Sequence, residues 1–358
     1  RSRLKSYSGM RFLVGGYNEI KADVWVYPVS SYQREKELKE FYLANAQIAP
    51  DLFLQKLKST YPELYVQIED VLEARRGYLS SADFDDVHLT YNDSSVPPPD
   101  FDGIQIMEKS SQAYYFAMKD RYFDLQRRRL EMSNAQSISA LAFSSTKLPF
   151  GNEIGFPRVY IRTPDTSIDS LTEKGIYDAL KRQRYLVTNG PIISVKALSP
   201  QTNQYDRLPG DIDDLSTTNS MSLKLQIMSA SWIDVSDFNV YYDGRMVRSI
   251  QLSPRETIIK FPDPRVTKKE DSGRITYSWN EPERKDTFVE VMAFSERKAL
   301  YPIVSTRPEF GNTGVFPIAW TSPLFLDEDG DGKIGDKSMS LVVSPSEDVA
   351  TTETETVQ

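Results

Sequence analysis

The spacing of hydrophobic positions changes about halfway along the chain. In the first half, short apolar stretches alternate with stretches whose apolar residues recur every three or four positions, as in helices. The segment 23–28 predicts a strand that a proline closes, and the segment 33–45 predicts an amphipathic helix. A second helix is predicted to begin at Pro50, because proline is favoured in a first helical turn. A long helix is predicted over 110–132.

Strands and helices continue to alternate after this point. Further short strands are predicted at 65–68, 101–107, 139–143 and 159–161. The capping box of Ser170 and Glu173 predicts another helix, which runs to about Arg184. Such alternation is typical of a largely parallel sheet covered by helices, or of a βα barrel.

From about residue 191 apolar and polar residues alternate with a period of two, which is typical of strands with one buried face. Strands are predicted at 222–227, 238–242, 245–247, 258–261, 275–279 and 288–294. Asp243-Gly244 predicts a hairpin with a type I′ turn between two of these strands. This strand spacing favours a β-sandwich.

The change of pattern divides the chain into an α/β region and an all-β region. We predict an α/β domain over 1–165, a connecting helix and turn over 166–190, and a β-sandwich domain over 191–343. The Ser-, Thr- and Glu-rich end, 344–358, predicts a disordered tail or linker.

Composition narrows the possible functions. With 43 Lys and Arg against 51 Asp and Glu the net charge is −8, which argues against nucleic acid as a ligand. The chain has no cysteine and one histidine, His88, which excludes thiolate chemistry and argues against most hydrolytic sites built on imidazoles. No apolar run approaches the roughly 18 residues of a membrane span. Because the chain begins at Arg1, we expect a processed form or part of a longer protein.

Several short motifs occur in a recognisable order. Val187-Thr188-Asn189-Gly190-Pro191 follows a predicted helix, and Gly155-Phe156-Pro157-Arg158-Val159-Tyr160 precedes it. Further motifs lie at 208–211, 231–233 and 317–323. In this order they resemble the PHP (polymerase and histidinol phosphatase) metal-dependent hydrolases, in the carbaryl-hydrolase-like branch (CehA/McbA). The resemblance implies a β-sandwich appended to a catalytic βα barrel.

The first 150 residues are more faintly similar to the later part of that barrel. The resemblance assigns family metal positions to Arg11, Asp23, Glu73, Gln105, Ser145 and Lys147. The family has Glu or His at most of these positions, and its early His-x-His segment would precede residue 1. The fold class we predict is therefore a partial PHP-like βα barrel followed by a β-sandwich.

These replacements change the chemistry that the family site performs. PHP proteins hold two or three metal ions that activate a water molecule. Arg11 cannot ligate a metal because its guanidinium stays protonated, and a Lys147 ammonium would compete with the ion. Asp23 and Glu73 could still bind a hard cation. Alternatively, they form ion pairs with Arg11 or Lys147 across a filled pocket.

An acidic loop near the end of the sandwich is a candidate calcium site. Asp327, Asp329, Asp331 and Gly332 match the first six positions of a calcium-binding loop. Ser338 stands where such loops have a bidentate Glu, and Asp336 is a possible substitute. The alternative interpretation is a solvent-exposed acidic turn.

Two further groups of residues have alternative interpretations. The basic run Arg127-Arg128-Arg129 predicts a solvent-exposed helix face or an inter-domain contact, with anion binding as another reading. Tyr241, Tyr242 and Tyr277 could form a platform for a sugar or a protein, or could pack in a core.

The functional hypothesis is a catalytically inactive PHP-like protein that acts as a structural or interaction module. We expect other proteins as partners, in self- or hetero-assembly, and a secreted, periplasmic or cell-surface location. No cofactor is required, apart from a possible structural Ca²⁺ at 327–336. One alternative is a phosphoesterase-like metal-dependent hydrolase whose ligands lie partly in an absent N-terminal segment. Another is a protein that binds carbohydrates or surfaces.

Overall fold

The structure of the chain is a computed structural model. It describes residues 10–14, 22–27, 29, 31–69, 84–85, 90–91, 101–108, 112–130, 137–143, 156–163, 171–199, 202–214, 220–230, 232–251, 274–278, 286–300, 315–327 and 330–334.

The described residues form four helices and nineteen strands. The helices are α1 (Tyr32–Asn45), α2 (Pro50–Thr60), α3 (Gln112–Leu130) and α4 (Glu173–Lys181). The strands are β1 (Met10–Val14), β2 (Ala22–Tyr27), β3 (Tyr65–Glu69), β4 (Phe84–Asp85), β5 (Thr90–Tyr91), β6 (Gly103–Glu108), β7 (Ser139–Phe143), β8 (Arg158–Ile161), β9 (Tyr185–Thr188), β10 (Ile192–Leu198), β11 (Tyr205–Arg207), β12 (Ile212–Asp214), β13 (Ser220–Met228), β14 (Asp237–Tyr242), β15 (Arg245–Gln251), β16 (Arg274–Ser278), β17 (Thr287–Phe294), β18 (Ile318–Thr321) and β19 (Leu324–Asp327).

The first part of the chain forms a five-stranded mixed sheet in the order β1-β2-β3-β6-β7. The pairs β1–β2 and β2–β3 are antiparallel, whereas β3–β6 and β6–β7 are parallel. The expectation of a largely parallel sheet is therefore wrong for half of the strand pairs. Residues 15–21 make a link between β1 and β2 that is too short for a parallel crossover. Among the described strands this sheet is open, so a barrel is not established.

The helix starts follow ordinary capping chemistry. Ser31 caps α1 by accepting a hydrogen bond from the Arg34 backbone N–H at 3.1 Å. In α4 the capping hydroxyl belongs to Thr172, which accepts from the Gly175 N–H at 3.0 Å. The capping box predicted at Ser170 is therefore wrong, and α4 begins at Glu173.

Asp102 joins two helices to the N-terminal ends of the parallel strands. The carboxylate is 4 % exposed and accepts hydrogen bonds from Lys58 Nζ at 2.9 and 3.0 Å and from the Val66 backbone N–H at 2.7 Å. Lys181 Nζ of α4 lies 3.7 Å from the same carboxylate. Burial lowers the pKa of Lys181, and Asp102 opposes that shift. This cluster holds α2, α4 and β3 together.

The second part of the chain consists of two sheets that pack face to face. One has the order β12-β19-β17-β18-β9-β8, with the hairpin β14–β15 attached to β17. The other is antiparallel, with the order β11-β10-β13-β16. Alternating apolar residues of both sheets form one buried cluster that includes Leu223, Leu225, Phe238, Val289 and Val291. The coarse class of an α/β region with a predominantly β region is confirmed.

The sheets also show where the two parts of the chain meet. β8 lies within the range assigned to the α/β domain, and β9 within the connecting segment, yet both pair in the eight-stranded sheet. Their apolar residues alternate too briefly for the sequence to assign them to one sheet. The division at residue 165 itself stays a prediction.

Helix α3 lies between the two parts and packs against both. Tyr115, Tyr122 and Phe123 surround the Trp320 ring, with centroid distances of 5.3, 5.1 and 5.3 Å. The Tyr122 hydroxyl oxygen also lies 3.3 Å from the Ile138 carbonyl oxygen beside β7. One buried cluster therefore includes residues of the five-stranded sheet, α3 and the eight-stranded sheet. No helix within the described residues is long and apolar enough to cross a membrane.

Candidate functional site

Two of the metal positions that the PHP resemblance assigns lie on adjacent antiparallel strands. Asp23 of β2 is in register with Leu13 of β1 and with Glu69 of β3. Arg11 of β1 is in register with Trp25, two positions further along β2. The backbone therefore brings these positions near one another in the sheet.

A third family position, Gln105, lies on β6 and is 1 % exposed. Gly103, two residues earlier, is in register with Gln67, so Gln105 shares a sheet face with Tyr65 and Gln67. A Cβ added to Gly103 would lie 2.7 Å from the Leu141 side chain, so the packing leaves room only for glycine at this position of β6. The neutral Gln105 amide is thus buried among close-packed neighbours.

Helix α4 covers part of that sheet face with an aromatic side chain. The Tyr177 ring stacks on Tyr65 and on Tyr27, each at a centroid distance of 5.5 Å. Tyr65 is fully buried, and burial raises its pKa well above the usual value. Gln67 Nε2 donates to the Glu69 carboxylate at 2.8 Å on the same face. This face therefore has aromatic rings at the Tyr27–Tyr65 end, and the Gln67 amide and the Glu69 carboxylate further along.

The remaining family positions Glu73, Ser145 and Lys147 lie outside the described residues, as does His88. The predicted ion pairs with Arg11 or Lys147 consequently stay predictions. Within the described ranges no three His, Asp or Glu side chains are grouped closely enough to hold a metal ion.

Glu290 is a buried carboxyl that the sequence analysis did not identify. It lies on β17 with 0 % exposure, and its Oε1 accepts a hydrogen bond from Tyr122 OH at 2.9 Å. Burial raises the pKa of Glu290 to about 8. The Tyr122 hydrogen bond and the nearby Trp320 indole N–H, whose geometry falls short of a hydrogen bond, oppose the shift. Glu290 is therefore largely protonated at neutral pH.

A signal for Glu290 was present in the sequence. β17 reads Thr-Phe-Val-Glu-Val-Met-Ala-Phe, so one charged residue stands among apolar residues on both faces of the strand. Such a residue must be buried with a partner, or the strand must be exposed. The partner Tyr122 comes from a helix 168 positions earlier, and only the tertiary structure could identify it.

Asp213 of β12 is a second buried carboxyl with an altered titration. Burial raises its pKa to about 6, and Arg207, whose Nε lies 3.9 Å from Asp213 Oδ1, opposes the shift. Neither carboxyl oxygen has a hydrogen-bond partner among the described residues. Asp213 is therefore a second carboxyl group of the sandwich whose pKa is raised toward neutral pH.

The acidic loop folds around Asp327. This carboxylate is 1 % exposed and accepts hydrogen bonds from the backbone N–H groups of Gly330 at 2.7 Å, Asp331 at 3.2 Å and Gly332 at 2.7 Å. Asp329 and Asp336 lie outside the described residues. The calcium site therefore stays a prediction, as does the alternative of a simple turn.

The basic run on α3 forms a contact between the two parts of the chain. Arg127 Nε lies 3.4 Å from the Asp243 carboxylate, and its guanidinium donates to the Asp243 carbonyl at 3.3 Å. Arg128 pairs with Asp124, and the buried Arg129 donates to the Phe101 carbonyl at 2.8 Å. Arg127 therefore takes part in a contact between the two parts of the chain, which is one of the interpretations of the basic run given by the sequence.

Of the three tyrosines considered as a binding platform, Tyr241 is buried. Tyr241 is 3 % exposed and packs against Phe123 at a centroid distance of 5.0 Å. Tyr242 is half-buried against the sandwich core, and the Tyr277 side chain lies outside the described part. Core packing therefore explains Tyr241.

A cavity of about 230 Å³ lies at one end of the sandwich. Residues of β8, β9 and β10 and of the Leu208-Pro209 turn line it, together with Arg162 and Arg184. Thr321 and Ser322 complete the lining, and sequence reasoning missed this cavity because its walls come from five separate segments.

Comparisons of the chain with protein-family models, with curated proteins and with solved structures find no match. The interpretation of function therefore depends on the residues and the geometry described above.

Proposed function

We propose that the chain is a catalytically inactive PHP-like protein that acts as a structural or interaction module, in an extracellular or cell-envelope assembly. The observation that carries the proposal is the buried Gln105 at a family metal position. Its sheet face is filled by Tyr65 and covered by Tyr177 of α4.

The chemistry of this face disfavours hydrolysis. A carboxamide oxygen is neutral, so Gln105 cannot offset the charge of a divalent cation as a carboxylate does. Aromatic rings of Tyr177, Tyr65 and Tyr27 also occupy part of the same sheet face, and such rings cannot ligate the metal ion that activates a water. Both features support a role in which the fold is retained without the reaction.

The contact between the two parts of the chain supports a structural role. α3 is held by Tyr122, which donates to Glu290 at 2.9 Å, and by Tyr115, which donates to the Met292 sulfur at 2.5 Å. Arg127 adds an ion pair to Asp243 of the β14–β15 turn. A helix fixed on both sides keeps the two parts in one orientation, as a module in an assembly requires.

The test is metal loading and turnover of the full chain. We expect elemental analysis after incubation with zinc, manganese or iron to find well below one equivalent of metal, and no hydrolysis of aryl phosphates above buffer. Stoichiometric metal with turnover would overturn the proposal. In that case Asp23→Asn should abolish turnover, while the exposed control Asp120→Asn should not, and the alternative of a metal-dependent hydrolase would take its place.

A further inference from the structure

The cavity at the end of the sandwich has charged and apolar walls. Its lining includes the exposed Arg162, Arg184, residues of β10 and the Leu208-Pro209 turn. None of the metal positions assigned by the resemblance is among its lining residues. Any ligand it takes is therefore independent of the proposed function.

The two arginines face each other across neighbouring strands. Ile161 of β8 is in register with Tyr185 of β9, and the next residues outward are Arg162 and Arg184. The Arg162 backbone N–H donates to the Arg184 carbonyl at 2.8 Å, which continues the ladder to this pair. Directly opposed residues of an antiparallel pair share a face, and like charges placed there destabilise the pair.

The chain itself neutralises one of these charges. Arg184 donates to the Pro209 carbonyl at 2.6 Å and forms an ion pair with Asp211. Asp211 in turn accepts from the Leu208 backbone N–H at 2.7 Å, so the turn holds the Arg184 guanidinium in place. Within the described ranges no carboxylate forms an ion pair with Arg162, and no acidic residue lines the cavity. The site therefore has an excess positive charge beside a guanidinium in a set orientation.

The other walls offer little polar recognition. Apolar side chains of Ile161, Leu186, Ile192, Ile193, Val195 and Leu208 form most of the lining. Of the lining hydroxyls, Thr321 Oγ1 accepts a hydrogen bond from the Val291 N–H at 3.0 Å, and Ser322 Oγ donates to the Gln183 carbonyl at 2.6 Å. The Tyr185 hydroxyl accepts from the Ala140 N–H at 2.7 Å, and Ser194 and Tyr160 complete the polar part of the lining. A ligand therefore needs one anionic group for the arginines and an apolar body for the remaining walls.

We propose that this cavity binds a small organic carboxylate with a compact apolar body, and that Arg162 is its principal charged contact. The volume equals that of about eight water molecules in the liquid. It is below the range of about 300–1,000 Å³ typical of drug-sized ligands. A molecule the size of benzoate suits this space.

Carboxylate is favoured over inorganic phosphate by the apolar walls. A guanidinium binds either group through paired N–H donors. A phosphate carries oxygens on all sides, and those that face apolar walls would lose their water without gaining a partner. A carboxylate presents oxygens on one side only, toward the arginines.

The experiment titrates benzoate into the full-length chain with labelled isoleucine and leucine methyl groups, monitored by NMR. We expect saturable shifts of cavity methyl groups such as those of Ile192 and Leu186. The neutral analogue benzamide and inorganic phosphate should each bind at least tenfold more weakly. Equal binding of benzamide would show an apolar cavity without charge recognition, and equal binding of phosphate a general anion site; either result overturns the proposal.

The matched variants are Arg162→Gln and Lys196→Gln, each of which removes one positive charge. Lys196 is exposed on β10 and does not line the cavity. We expect Arg162→Gln to weaken benzoate binding about tenfold or more, as loss of a charged hydrogen bond should, and Lys196→Gln to change it less than about twofold. Equal effects of the two variants, or no saturable benzoate binding by the parent chain, would overturn the assignment. Unchanged thermal unfolding of both variants confirms that the fold is intact.

Discussion

Two carboxyl groups are buried to a similar degree in different regions, but their neighbours differ. Asp102 lies at the N-terminal ends of the parallel strands, 4 % exposed, with Lys58 and Lys181 beside it. Glu290 lies between α3 and the eight-stranded sheet, 0 % exposed, and its described partner is the uncharged Tyr122 hydroxyl.

The two sites differ in how they avoid an uncompensated buried carboxylate charge. Around Asp102, cations from two helices compensate the charge, so removal of the carboxylate leaves those cations without their partner. Around Glu290 no cation of the described residues forms an ion pair with the carboxyl, and the raised pKa keeps the group protonated at neutral pH instead. The stability of the region around Asp102 therefore depends on ion pairs, and that of the region around Glu290 depends on protonation of the carboxyl group.

The largest effect is expected for Asp102→Asn. The variant leaves two partly buried ammonium groups facing an amide, which should lower the free energy of unfolding by about 3–5 kcal/mol. Urea unfolding measures the change. The control Asp178→Asn removes the partner of the exposed Lys174 and should change stability by less than about 0.5 kcal/mol. Similar effects of the two variants would contradict the importance of the buried cluster.

The second-largest effect is expected in the pH dependence of the free energy of unfolding, to which Glu290 should contribute most. Its pKa rises from 4.5 to about 8 on folding, so the native state retains a proton that the unfolded chain has lost. Stability should therefore fall as the pH rises, by about 3 kcal/mol between pH 5 and pH 8. Glu290→Gln should remove this slope, because the amide oxygen still accepts from Tyr122 and carries no charge.

The control for this prediction is Glu296→Gln, an exposed position shortly after β17. Urea unfolding across the pH range should show the parent slope in this control. A smaller slope that ends near pH 6 should remain in Glu290→Gln, because the pKa of Asp213 is raised to about 6. If Glu290→Gln keeps the full slope up to pH 8, the protonated state of Glu290 is refuted.

A third variant tests the contact of α3 with the β14–β15 hairpin near Glu290. Gly244 has a φ of +71°, and an added Cβ would lie 2.7 Å from Phe123 Cβ. Gly332 has a similar φ of +76° with no atom within 4 Å of an added Cβ. Gly244→Ala should therefore destabilise by about 1–3 kcal/mol more than Gly332→Ala, measured by urea unfolding. Equal losses would indicate that backbone conformation alone determines the effect.

The smallest effect concerns Asp327, another buried carboxylate, whose oxygens accept hydrogen bonds from backbone N–H groups. If the loop also binds calcium, the ion should stabilise the fold by about 1 kcal/mol or less. Thermal unfolding with calcium and with a chelator would then differ by about 2–4 °C. Asp329→Ala should abolish the difference. If the variant shows the same shift, or the parent chain shows none, the acidic loop is a turn that does not bind calcium.

Helix and strand positions were largely predictable because they depend on local spacing. The predicted helix from Pro50 and the hairpin at Asp243-Gly244 occur in the structure, the latter with positive φ at both turn residues. The predicted start of α4 at Ser170 failed because two hydroxyls lie near the helix start, and pattern alone does not decide which one caps. Sequence reasoning also could not place β8 and β9, whose partners are distant in the chain.

By itself the sequence determined the positions of the helices and of about half of the described strands, the change from α/β to β, and the absence of thiol chemistry, since these follow from spacing and composition. Only the tertiary structure decided which carboxyl groups are buried and what compensates them. Lys58 meets Asp102 across 44 residues, and Tyr122 meets Glu290 across 168. The arginine pair of the cavity likewise depends on the register of β8 with β9. Such contacts depend on long-range strand pairing and packing, which local patterns do not encode.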